Sequence, residues 1–107
     1  MDNYEPLTES YFYILLNLSK KIDYGYAIMK NTKEITKGKV NIGSATMYTA
    51  ISKMMKKGWV EELATEDGKY SKRRKYKITK EGEDVLKNEI ERYKMILKSI
   101  KEVEKNG

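Results

Sequence analysis

The sequence predicts a mainly α-helical chain with a small β-hairpin and a long helix at its C-terminus. Three observations carry that expectation. Glycines and turn residues separate apolar runs that keep the helical spacing of three and four. Two alternating β-prone runs flank Asp67-Gly68, a strong hairpin signal. Beyond Thr79 an apolar stripe continues to about Lys105 with no proline to interrupt it.

Taken in order, Thr8 is placed to cap the first helix, Glu9 suits the positive end of its dipole, and Leu7 can staple onto Phe12. The following run, YFYILLNLSKK, is apolar on most sides, and Phe12, Leu15, Leu16 and Leu18 are its expected core residues. KKIDYGY breaks the pattern. A second helix is predicted from Tyr26 to about Thr36, with Ile28, Thr32 and Ile35 on its inner stripe and Gly38 as the left-handed residue that ends it. KVNI reads as a short β-prone piece, followed by a break at Gly43 and an N-cap at Ser44. The third helix, Ala45 to about Lys57, gathers Met47, Ala50, Ile51, Met54 and Met55 within one arc before Gly58 stops it. In the hairpin Arg74, Tyr76 and Ile78 share one face while Arg73, Lys75 and Lys77 share the other. Thr79 caps the last helix, whose stripe is Leu86, Ile90, Tyr93, Leu97 and Ile100, with Val85, Ile96 and Val103 alongside. At 1.5 Å per residue this helix is roughly 37 Å long. The core of the first eighty residues is too short to cover that length, so part of the stripe is expected to lie against a second chain.

Composition narrows the chemistry. The 107 residues include no cysteine and no histidine, which removes disulfides, thiolate nucleophiles, the usual zinc and haem ligands and the residue best suited to proton transfer near neutral pH. No carboxylate pair or phosphate-cradling glycine loop replaces them, so an enzyme is not expected, and neither a cofactor nor a metal. No apolar run approaches the about 20 residues of a membrane span, and MDNYEPLTES lacks the features of a signal peptide; the expected location is the cytoplasm. The net charge is +6. Its distribution is more telling than its size: ten basic residues against four acids lie between Lys53 and Lys80, so this segment holds the whole surplus.

The element order is that of a winged helix-turn-helix, in which the third helix docks in the DNA major groove and the hairpin, or wing, reaches alongside it. The third helix fits that task in an unusual respect. Going round it away from the methionines one meets Ala45, Thr49, Ser52, Lys53 and Lys56, with Thr46 and Tyr48 on the flanks and Ser44 at its start. None is an acid. A face that slides between phosphates cannot carry carboxylates toward them, and it needs short donors and acceptors to approach base edges. Lys56 and Lys57 are equally accounted for as phosphate anchors or as cations near the negative end of a helix. Lys72, Arg73 and Arg74 are the wing's candidate phosphate contacts, Arg74 being the one that alternation turns toward Tyr76 and Ile78. Trp59 and the methionines are first of all core residues.

The stretches LTESYFYILLNLS, YGYAIMK, GSATMYTAISKMMKKGWV and KRRKYKITKEGEDVLKNEI, in that order, resemble the PadR family of bacterial transcriptional regulators over most of the chain. The resemblance implies a homodimeric DNA-binding repressor whose long last helix packs on the partner's N-terminal and C-terminal helices. It also implies recognition-helix contacts at Ser44, Thr46, Tyr48 and Thr49, and wing contacts at Lys72, Arg73 and Arg74. With one C-terminal helix the chain is similar to the short subfamily, some members of which bind flat aromatic molecules at the dimer interface; a small aromatic effector is therefore a candidate partner. The wing turn Glu66-Asp67-Gly68 departs from the family in being acidic. The expected organisation is one compact unit, with residues 1–80 as the DNA-binding domain and 81–107 as the dimerisation helix. The alternative is a winged-helix module that holds a protein partner and does not bind DNA.

Overall fold

In the computed structural model, which describes residues 6–63 and 74–106, the elements run α1 (Glu9–Leu18), β1 (Asp23–Tyr24), α2 (Gly25–Ile35), α3 (Ser44–Lys56), β2 (Val60–Leu63), β3 (Lys75–Ile78) and α4 (Lys80–Asn106). This is the mainly helical class with a small antiparallel sheet. The hairpin tip, with Asp67-Gly68, lies outside the described residues.

Helix α1 starts as its sequence dictates: the Thr8 hydroxyl accepts from the Tyr11 amide at 3.2 Å. It buries Ile14, Leu15 and Leu18, whereas Phe12 and Leu16, expected in the core, are only half-buried. A run that is apolar on most sides does not say which side wins; α1 touches α2, α3 and α4, and Ile14, Leu15 and Leu18 are the side chains these contacts bury.

The third strand of the sheet is a correction. KVNI forms no strand; Asp23–Tyr24, which reads as a mere break, pairs with β3 instead, Asp23 opposite Tyr76 and Tyr24 opposite Lys75. The strand order is β1-β3-β2. Two residues carry too little periodicity to announce themselves, and only the neighbouring β3 edge makes them a strand.

In α2, Ile28 and Thr32 are buried but Ile35 is 59% exposed. Thr32 joins two helices, since its hydroxyl donates to the Ile28 carbonyl at 2.8 Å and accepts from the Asn17 side chain at 3.1 Å. The helix ends one residue earlier than expected, with Lys37 taking the left-handed turn (φ 54°) ahead of Gly38 (φ 80°). The Gly38 amide reaches back to Lys33 and the Lys37 amide to Glu34, which satisfies two terminal carbonyls. Helix α3 closes by the same device at Gly58 (φ 81°), with Trp59 bonded to Met54 and Gly58 to Met55.

The core gathers Ile14, Leu15, Ile28, Met47, Ile51, Met54, Val60, Tyr76 and Leu86 between the helices and one face of the sheet. Each such side chain contributes about 1.5–3 kcal/mol by leaving water. At the start of α4 the Thr79 hydroxyl accepts from the Gly82 amide at 3.0 Å and donates to the Gly58 carbonyl at 2.6 Å. A side chain at Gly82 would collide with the Trp59 carbonyl and Ile78, which is why glycine stands there.

One buried group has no counterpart in the sequence reading. Glu89 is fully buried, accepts the Leu7 amide at 3.0 Å and receives both Nε and Nη2 of Arg92 at 2.9 Å. It ties the segment before α1 to the last helix. Past Tyr93 every described residue of α4 is exposed, including Met95, Ile96, Leu97, Ile100 and Val103. Leu86, by contrast, is used up in the chain's own core. Among the described residues no helix is long and apolar enough to cross a membrane.

Candidate nucleic-acid interface

Helix α3 is held by its apolar arc. Met47, Ala50, Ile51 and Met54 are buried, and the opposite side therefore faces out. Ser44, Ala45, Thr46, Thr49, Ser52, Lys53 and Lys56 are all exposed, and the helix contains no acid. Its N-cap is Gly43 rather than Ser44, and no side chain caps it, so Ser44 is the first helical residue with its hydroxyl outward. The reason is local: Gly43 takes the extended conformation of a cap (φ −69°, ψ 156°), leaving Ser44 inside the first turn.

Tyr48 is less free than its neighbours. It is 38% exposed, and its hydroxyl lies where a Cβ on Gly25 would be, 2.7 Å from that position. The glycine of Tyr24-Gly25-Tyr26 thus lets the first turn of α2 close onto α3, and Tyr48 has a packing role besides any outward one. Beside the outer face runs an open groove of about 440 Å³ between α1 and α3, bordered by Ser10, Tyr11, Thr46, Thr49 and Lys53.

At the base of the hairpin Arg74 is exposed and lies 3.8 Å from Glu62, on the face of Tyr76 as alternation predicts. The Tyr76 hydroxyl is pushed above its ordinary value of 10.0, chiefly by burial and then by Glu62 and Tyr48, with Arg74 opposing. Tyr48, on α3, is thus near enough to Tyr76, on β3, for the two hydroxyls to influence each other. Lys72 and Arg73 lie outside the described residues. Trp59 roofs the core edge, with Tyr11 packed edge-on at 6.4 Å and the Lys57 ammonium 5.4 Å from its ring, which gives Lys57 a local partner.

Sequence reasoning passed over Tyr24, Tyr26 and Lys75. The rings of Tyr24 and Tyr26 stack at 5.6 Å, and the Lys75 ammonium stands 5.1 Å from the Tyr24 ring. The tyrosines are one motif in the sequence, but Lys75 joins them only through the β1–β3 pairing, for which the sequence holds no signal.

Comparisons with known proteins agree with this geometry. The profile of the transcriptional regulator PadR-like family matches residues 14–88. A transcriptional regulator from Clostridium thermocellum has a similar structure at a TM-score of 0.75 and 30% identity, over 86% of this chain and 89% of that one. A PadR family transcription regulator from Clostridium difficile superposes at 0.78 with 26% identity, over 90% and 98% of the two chains. RosR of H. salinarum superposes at 0.67 with 26% identity, over 83% and 76%. Among curated proteins, none matches the chain.

Proposed function

Because the chain belongs to the PadR-like family, and is on that ground a DNA-binding transcriptional regulator, we propose that it acts as a homodimeric repressor on an inverted-repeat operator. The single observation that supports this most is the outer side of α3, exposed along its length and free of carboxylates. In this reading Ser44, Thr46, Tyr48, Thr49, Ser52 and Lys53 meet base edges and nearby phosphates, while Lys72, Arg73 and Arg74 meet the backbone. Residues 1–80 form the DNA-binding part and 81–107 the dimerisation helix. Leu97 and Ile100 face the second copy, and Ile90 and Tyr93, half-buried against the chain's own core, border that surface; Leu86, assigned to it by its spacing, supports it from inside the monomer. A flat aromatic effector at that interface is the candidate inducer.

The test is selection of bound duplexes from a random pool, followed by titration across salt concentrations. The expected product is an inverted repeat with half-sites one duplex turn apart, roughly 34 to 36 Å. Thr49→Ala relaxes its sequence preference, and Lys72→Glu with Arg73→Glu weakens binding to every duplex. Binding that ignores sequence and salt overturns the reading, and a chain that binds no duplex at low salt is a protein-docking module instead.

A further inference from the structure

A helix lying in the major groove and a hairpin reaching to the neighbouring groove are separated by one sugar-phosphate strand. On the reading of α3 given above, that strand has to cross the surface that joins α3 to β3. The Tyr24, Tyr26 and Lys75 cluster occupies this surface. It is tied to α3 because Gly25, between the two tyrosines, carries the Tyr48 hydroxyl against it. It is tied to the hairpin because Tyr24 and Lys75 stand opposite each other on neighbouring strands, on the face turned away from the core. Tyr26 is 55% exposed.

The charges around the cluster favour an anion. Asp23 and Glu62 both stand opposite Tyr76, on the other face of the sheet from Lys75. Asp23 is further occupied by the Tyr24 amide at 2.9 Å and by Lys21 at 3.6 Å, and Glu62 by Arg74. Glu61 shares the outer face but stands opposite Lys77, and the neighbour of Lys75 across β2 is Leu63. A lysine held over a ring has already lost part of the freedom it would lose on binding, so it meets a phosphate at lower entropic cost.

We propose that Tyr24, Tyr26 and Lys75 form a backbone-contact site for duplex DNA. The Lys75 ammonium neutralises one phosphate, and the Tyr26 hydroxyl donates to a phosphate oxygen of the same strand. Tyr24 touches neither and positions both, as the ring on which one stacks and over which the other sits. The site holds the strand between α3 and the hairpin without reading its sequence.

The experiment compares the full chain with Lys75→Gln and Tyr26→Phe, on a duplex selected by the wild type and on an unrelated duplex, across a salt series. Lys75→Gln weakens binding to both duplexes by about five- to tenfold near 0.1 M salt and lowers the log–log salt slope by about 0.9. Tyr26→Phe weakens both by roughly two- to tenfold, as for one lost hydrogen bond, and leaves the slope unchanged. Both free variants keep a cooperative thermal melt, with a shift of at most a few degrees for the lost Lys75–Tyr24 contact, so that a loss of DNA binding reports on the site and not on unfolding. An unchanged Lys75→Gln slope beside a normal wild-type salt response overturns this site alone, whereas a wild type with no salt-dependent DNA binding overturns both this site and the parent reading.

Discussion

The two halves of α4 carry the same apolar rhythm and meet opposite fates. Up to Tyr93 the helix is part of the head: Leu86 and Glu89 are buried, Val85 and Ile90 pack on the core, and Phe12 meets the Tyr93 ring at 4.9 Å. Beyond it none of the described residues covers the stripe, and Leu97 is 53% and Val103 73% exposed. The difference teaches that periodicity reports a face meant to be covered without saying by what. An apolar stripe of this length standing in water is what the proposed second copy would cover, because isolated chains rarely leave contiguous apolar area open.

That contrast can be broken or sharpened by experiment. The largest effect is expected in the first half, from Glu89→Ala. It removes the buried carboxylate that accepts from the Arg92 guanidinium and the Leu7 amide, and costs about 1–3 kcal/mol, read from urea unfolding. In the second half, Leu97→Lys together with Ile100→Lys leaves the helical circular dichroism of the chain as it was but shifts its sedimentation from dimer to monomer. A variant that stays dimeric moves the proposed interface elsewhere. The smallest effect is on pH dependence. The Tyr93 hydroxyl is held protonated above its ordinary 10.0 by burial first and then by Glu89, and Tyr76 is raised in the same direction. Raised folded-state values mean that the stability from these two groups is intact below pH 10 and is lost as pH climbs through their folded values. An ultraviolet titration of tyrosinate should show two late-titrating residues, and Tyr93→Phe should remove one.

Much of this architecture was legible in advance, and the gaps have physical causes. The apolar arc of α3, its Gly58 stop and the Thr79 cap are local devices, written in neighbouring residues. The exposed side of α3 follows from that arc, since a side chain opposite Met47 and Ile51 has nowhere else to point. What could not be read depends on distant partners. Asp23–Tyr24 becomes a strand only because β3 lies beside it, Glu89 is buried with Arg92 and the Leu7 amide as its partners, and Ile14 outranks Phe12 through the way α1 meets three other helices. Lys37 in a left-handed turn was hidden by the glycine next to it, which seemed the natural occupant.

The junction around Thr79 has a mechanical consequence. One hydroxyl grips the Gly58 carbonyl just past α3 and the Gly82 amide in the first turn of α4, while Gly82 lets the Trp59 backbone press directly on the long helix. The turn that follows α3 is thereby fixed at one point to the start of α4. Should two copies associate through their long helices, as proposed, any change in the angle between those helices would carry α3 with it.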